Sequence, residues 1–191
     1  GSEMCIRDRL RALYFPLHKQ DTLEANVLAA IQLQVEAALD YDKLLDKLRG
    51  SEGEKNIRDQ QNALITSLNL RLNGVSKKRT RLYEDYAEGL LDEAEYSFAK
   101  KSYDEQYADL SRRLDEAVQR RSKFDEAMSV DNKWITLMKS VSTATQLSQD
   151  LVDESVELVK VHEGGAVELV MKYGDIYELT IQSIKEVQEA M

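Results

Sequence analysis

The chain has 191 residues, of which 42% are hydrophobic and 32% charged, with a formal net charge of −9 and one proline. So little proline predicts a mainly helical protein, and no apolar run reaches the roughly 18 residues that a membrane span needs. The acidic balance argues against a basic surface for DNA, because basic clusters such as residues 77–81 are better explained as solvated helix faces.

Cysteine and histidine are too scarce to predict a metal site. The single cysteine, Cys5, can form no internal disulfide, and the two histidines, His18 and His162, are far apart in the sequence. A structural zinc site takes about four ligands. We therefore expect this chain to hold no metal and no cofactor.

The amino end differs in character from the rest of the chain. Residues 1–9, GSEMCIRDR, have neither an amphipathic period nor a helix cap, and we interpret them as an artefactual or disordered leader to a chain that begins in mid-domain. They also lack the apolar region of a secretory signal, so a cytoplasmic protein is expected. Within residues 10–50, the stretch after Pro16 predicts an amphipathic helix that Gly50 can end.

Residues 51–130 carry two long apolar patterns with the spacing of a coiled coil. Both step by three and four residues, and their similar lengths predict an antiparallel two-helix hairpin, which we call the arm. When the arm is folded at its middle, the two patterns stay in register along their whole length. The predicted pairs are Tyr86 with Tyr96, Leu82 with Ala99, Arg79 with Tyr103, Val75 with Tyr107, Leu72 with Leu110, Leu68 with Leu114 and Leu64 with Ala117.

The tip of the arm, residues 87–92, joins its two helices. Gly89 is expected to end the first helix in a left-handed conformation. Asp92 is expected to cap the second helix, with Glu95 at its third position as a capping-box partner.

Two leucines lie in the turn itself. A two-helix hairpin offers little for a turn to pack against, so at least one of Leu90 and Leu91 should be exposed. The alternative for Leu91 is a hydrophobic staple, in which its side chain packs on Tyr96.

Residues 131–191 begin with two short predicted helices. The first covers NKWITLMKSV, and the second starts at Thr145 or Ser148 and continues through Val156 and Leu158.

A change of period follows. Alternating apolar residues on both sides of Gly164-Gly165 predict a two-stranded β-hairpin at about residues 158–173, and LTIQSIKEVQEAM predicts a terminal helix. A two-stranded ribbon is marginal alone, so it needs the flanking helices or a sheet contributed by residues outside this chain.

Three stretches, in this order, carry a family resemblance: LHKQDTLEANVLAAI, LYEDYAEGLLDEAEY and LSQDLVDESVELVKVHEGGAVELVMKYGDIYE. They are similar to the exit from the zinc ribbon, the coiled-coil tip and the closing segment of the large serine recombinases. That family comprises site-specific integrases and transposon recombinases that use a serine nucleophile. The stretches span about residues 16–178, and their order is more specific than any one of them.

The resemblance implies that the chain is the carboxyl-terminal part of a site-specific DNA recombinase. In that family an amino-terminal domain cleaves and rejoins DNA, and a recombinase domain and a zinc ribbon read the attachment site. A coiled coil joins subunits in synapsis and sets the direction of recombination with a directionality factor. The catalytic domain and the cysteines of the ribbon are absent from this chain, so catalysis, DNA contact and zinc binding are expected only of the parent.

The predicted role of this chain is therefore contact with other recombinase subunits through the tip of the arm, with a directionality factor as a further candidate partner. The candidate interaction residues are Tyr86, Gly89, Leu90, Leu91 and Tyr96. The alternative is a free-standing coiled-coil adaptor or scaffold without a DNA role. An enzyme is not indicated, because there is no Gly-rich phosphate loop and no arrangement of nucleophile and base.

Overall fold

The computed structural model describes residues 12–16, 20–161 and 166–191. In chain order their elements are β1 (Ala12–Pro16), α1 (Gln20–Leu48), α2 (Glu52–Ala87), α3 (Glu93–Met128), α4 (Lys133–Ser140), α5 (Gln149–Ser155), β2 (Val156–Val161), β3 (Ala166–Met171) and α6 (Gly174–Glu189). The fold is mainly α, with a long antiparallel hairpin of α2 and α3 and a small sheet near the carboxyl end, as the sequence predicts. The predictions for residues 1–9, His18, His162 and the Gly164-Gly165 turn lie outside the described residues.

The described chain divides into two compact units. The first combines the described residues up to 53 with residues 124–189 and 191, and the second holds most of the arm, residues 54–123, with residue 190. Each unit has a hydrophobic core of its own.

Trp134 lies at the centre of the first unit, where α1, α4 and α6 meet. The indole is fully buried, and its Nε1 donates to Gln34 Oε1 over 3.3 Å. Its ring centroid lies 6.0 Å from that of Tyr41 and 4.7 Å from that of Tyr177. Tilted contacts of this kind let aromatic rings pack densely while the indole N–H keeps an acceptor.

Asn132 links three parts of the same core. Its side-chain oxygen caps α4 by accepting from Ile135 N over 3.1 Å, and its amide donates to Ala127 O and to Thr180 Oγ1 over 2.9 and 2.7 Å. A fully buried amide needs such partners, because an unmade hydrogen bond in the interior is costly. This side chain therefore ties the end of α3 and the start of α4 to α6.

The sheet has three antiparallel strands in the order β1-β3-β2. Leu169 of β3, opposite Leu13 of β1 and Val159 of β2, is fully buried. The sequence predicted the hairpin of β2 and β3 but missed β1. This strand, from the same chain, supplies the further pairing that a two-stranded ribbon lacks.

Two boundaries near the sheet differ from the predicted ones. The helix expected to continue through Val156 and Leu158 ends at Ser155, and both residues belong to β2, with a β-bulge between them. The β-branched residues that follow Ser155 favour a strand over a helix. Tyr173, predicted on a strand, lies between β3 and α6 with φ of 58°, so the terminal helix begins at Gly174.

The second unit is held by apolar residues from both helices of the arm. Leu68, Val75, Leu110 and Ala117 are buried together, and Ile65, Leu72, Tyr103, Tyr107 and Leu114 pack against them. One predicted core residue, Leu64, is 48% exposed. The steps from Leu64 to Leu68 and on to Leu72 are both four residues long, and such a stutter rotates the apolar face of a helix.

Candidate interaction site at the tip of the arm

The first helix of the arm ends at Gly89. Its φ is 75°, Leu90 N donates to Asp85 O over 2.9 Å, and Gly89 N donates to Tyr86 O over 3.0 Å. These two bonds around a left-handed residue make a Schellman motif, which satisfies carbonyls that a helix end would leave unpaired. The prediction for Gly89 is confirmed.

The second helix of the arm begins with a complete capping box. Glu95 N donates to Asp92 Oδ1 over 2.8 Å, and Asp92 N donates in return to Glu95 Oε2 over 3.0 Å. The two bonds satisfy amide groups that lack partners at a helix start. The predicted cap is confirmed, and the turn is fixed by hydrogen bonds on both sides.

Directly beneath the turn, the rings of Tyr86 and Tyr96 stack. Their centroids are 4.3 Å apart and their planes differ by 16°, so the predicted pair nearest the tip forms. Two turns farther from the tip, Arg79 lies 2.8 Å from a carboxylate oxygen of Asp104 and 4.8 Å from the ring centroid of Tyr107. Ring stacking and a charged pair thus join the helices close to the turn.

The two tip leucines differ in exposure. Leu90 is 67% exposed, whereas Leu91, immediately before the Asp92 cap, is partly buried. The prediction that at least one of them faces solvent is confirmed. The turn therefore presents Leu90 to solvent on a backbone that hydrogen bonds hold in place.

Two further large side chains near the tip are exposed, although neither is among the predicted interaction residues. Phe98 is 81% exposed and Tyr83 is 62% exposed. Coiled-coil spacing marks the residues on the buried side of each helix, and these two fall between the marked positions. An aromatic side chain at a position that the spacing assigns to solvent was the signal that could have found them.

Charge is segregated along the chain on the approach to the tip. Residues 60–83 contain five cations, Arg71, Lys77, Lys78, Arg79 and Arg81, and no acid, whereas residues 84–95 contain six acids and no cation. Those acids are Glu84, Asp85, Glu88, Asp92, Glu93 and Glu95. In sequence, the tip is therefore flanked by acids on both sides, and the preceding turns of α2 are basic.

The described residues give no indication of a metal or membrane site. Within them, no three or more His, Cys, Asp or Glu side chains are grouped closely enough to hold a metal ion. None of the helices in the described ranges is long and apolar enough to cross a membrane.

The fold and the tip define a class of protein: a mainly helical chain whose two-helix arm exposes a leucine at a tip that acids flank in sequence. No family model matches the sequence, and neither a curated protein nor a solved structure matches the chain.

Proposed function

We propose that the arm is the subunit-contact element of a large serine recombinase, of which this chain is the carboxyl-terminal part, acting in the cytoplasm. The parent would integrate or excise DNA at a specific site through its catalytic domain and zinc ribbon, which are absent from this chain. The observation that carries the proposal is the exposure of Leu90 on a hydrogen-bonded turn. The three stretches that resemble the family support the assignment to recombinases.

Two physical effects favour a contact at the tip: burial of an exposed leucine side chain, and a turn that is already ordered before it binds. Covering a leucine side chain stabilises a complex by about 1.5–3 kcal/mol. Because the Schellman motif and the capping box already order the turn, little conformational entropy is lost on binding. A contact of this size is weak when it forms singly. Weak contacts suit a switch that forms in one synaptic complex and is blocked in another, for instance by a directionality factor.

The contact is tested with Leu90→Asp. We expect this change to abolish self-association of the chain, measured by sedimentation equilibrium, and to leave far-UV circular dichroism and the melting temperature unchanged, because the side chain faces solvent. Val130→Asp is the matched control, since Val130 is 74% exposed but lies outside the tip. Unchanged self-association of Leu90→Asp would contradict the proposal, and a large loss of stability would mean that Leu90 is a core residue.

A second candidate, a coiled-coil adaptor without a DNA role, is favoured by one observation. The sheet obtains its third strand, β1, from this chain, so the hairpin of β2 and β3 is not the isolated two-stranded ribbon that an adaptor would leave unexplained. An adaptor would use the same arm and the same exposed tip.

The genomic reading frame upstream of residue 10 distinguishes the two candidates. If the chain belongs to a recombinase, sequencing should find an in-frame C-x-x-C pair and, farther upstream, a serine-recombinase catalytic domain. A promoter and start codon at this point would instead favour the adaptor.

A further inference from the structure

A cavity of about 150 Å³ lies between the two helices of the arm, at the end away from the tip. Residues of both helices line it: Ile57, Gln60, Gln61, Leu64, Ala117 and Arg120. All of them belong to the second unit. Because alanine has no side chain beyond Cβ, Ala117 leaves open a space that a larger residue of α3 would fill.

Gln61 contributes an unsatisfied amide to the wall of this cavity. Within the described residues, neither Nε2 nor Oε1 of its side chain has a hydrogen-bond partner, although both atoms are buried. Arg121 faces Gln61 when the predicted register of the arm is continued. Its guanidinium donates instead to Asn62 Oδ1 over 2.6 Å and to Arg58 O over 3.4 Å. A buried amide without partners costs free energy, so Gln61 favours a ligand that supplies both a donor and an acceptor.

Apolar side chains flank the amide on the same side of α2. Ile57 lies four residues before Gln61 and Leu64 three residues after it, and these spacings place side chains next to each other on a helix. Leu64 is 48% exposed, although the apolar spacing assigns it to the core. The cavity therefore has a polar centre between apolar edges, and a hole between two helices can receive a side chain from a third.

The chemistry of Gln61 specifies the group that fits this hole. A carboxamide donates to Oε1 through its N–H and accepts from Nε2 through its oxygen, so that two reciprocal hydrogen bonds form. A carboxylate would leave Oε1 without a donor, and an ammonium group would leave Nε2 without an acceptor. A buried amide in a coiled coil can specify register and partner.

We propose that the cavity recognises the side-chain amide of a glutamine or asparagine on a helix of a partner protein, which Gln61 holds by two hydrogen bonds. Leucine or isoleucine residues one turn before and after that amide would cover Leu64 and Ile57. The proposal goes beyond the proposed function, because it concerns a second contact surface at the other end of the arm from Leu90.

Water is the competing occupant, because a polar cavity of this size does not stay empty. Water can satisfy the amide of Gln61, but it leaves the apolar surfaces of Ile57 and Leu64 hydrated. A carboxamide carried on a branched apolar group matches both the amide and its apolar edges.

The test uses isovaleramide, a primary amide on a branched apolar group, as the probe for the full chain. We expect it to shift the side-chain amide signal of Gln61 saturably in nitrogen–proton correlation spectra of the labelled protein. The signal is assigned by its absence from Gln61→Leu. Methyl isobutyl ketone, which has the same shape but no donor, should bind at least about tenfold more weakly, because it leaves Oε1 buried without a donor.

Two variants locate the site, with binding followed at the backbone amide signals of Leu64 and Ala117. Gln61→Leu should weaken isovaleramide binding at least about tenfold, because both hydrogen bonds are lost. Its circular dichroism should stay that of the wild type, since leucine suits a coiled-coil position. Gln60→Leu is the matched control: Gln60 lines the same cavity but is exposed, and this variant should bind isovaleramide as the wild type does.

The outcomes separate this proposal from the contact at the tip. Absence of a saturable shift with isovaleramide assigns the cavity to water and overturns the proposal. Equal binding of the ketone and the amide, or unchanged binding in Gln61→Leu, means that the cavity selects shape alone and also overturns it. Leu90→Asp should bind isovaleramide as the wild type does, so a failure of the tip contact leaves the amide site standing.

Discussion

Gly89 and Gly74 are two glycines of the arm with opposite backbone requirements. Gly89 adopts φ of 75°, a region that side chains with a Cβ disfavour, whereas Gly74 lies inside α2. An added Cβ would meet no atom within 4 Å at either position. Steric contacts therefore do not distinguish the two glycines, and backbone conformation alone decides what a substitution does.

We expect Gly89→Ala to lower the free energy of unfolding by about 1 kcal/mol, because alanine disfavours the left-handed region. Gly74→Ala should raise it by about 0.5–1 kcal/mol, because alanine is the better helix former and has less freedom in the unfolded chain. Urea denaturation followed by circular dichroism at 222 nm measures both. Gly89→Asn should lose less than Gly89→Ala, since asparagine tolerates the left-handed region. Equal effects of Gly89→Ala and Gly74→Ala would contradict the assignment of the turn.

For whole elements, the sequence predicted the arm more fully than the sheet. The arm follows from local signals: a repeating apolar spacing on each side of Gly89, and a cap formed by Asp92 and Glu95 within one helical turn. These signals also identified the Tyr86–Tyr96 pair, because the spacing fixes register once the turn is known. Candidate contact residues were harder to predict, as the missed Phe98 illustrates. The spacing identifies the buried side of a helix, but it does not indicate which side chains on the exposed side bind a partner.

The strand β1 could not be inferred in the same way. Its five residues, ALYFP, are too few to establish an alternating pattern. Its partner, β3, begins about 150 residues later in the chain, so the pairing is a tertiary event that no local signal reports. The same limit explains the misplaced end of α5, because Val156 and Leu158 continue an apolar helical spacing until pairing with β3 makes them a strand.

At the scale of the whole molecule, the first unit draws its core from distant parts of the chain. Trp134 in α4 donates to Gln34 of α1 and packs on Tyr177 of α6, and the neighbouring Asn132 donates to Thr180 of α6. The second unit, in contrast, is built from two helices joined by one turn. A core assembled from distant segments is destabilised when a titratable group inside it becomes charged, because burial disfavours the charged form.

Tyr41 gives this dependence a measurable form. Its ring packs on Trp134 and Tyr177, and burial raises the pKa of its hydroxyl above the ordinary value of 10.0. Below pH 10 the hydroxyl is neutral in both the folded and the unfolded chain. As pH rises through 10 the unfolded chain releases this proton first, so folding becomes less stable from that point until the raised folded pKa is passed.

We therefore expect Tyr41→Phe to reduce the loss of stability between pH 8 and alkaline conditions above pH 10, because phenylalanine has no proton to release. Urea denaturation of both proteins at the two pH values measures the difference, and the remaining tyrosines contribute equally to both. If wild type and Tyr41→Phe lose the same free energy of unfolding, the Tyr41 hydroxyl reaches solvent and the aromatic cluster is open at that side. If the loss is smaller in the variant, the cluster excludes water around a group that the folded chain must keep neutral.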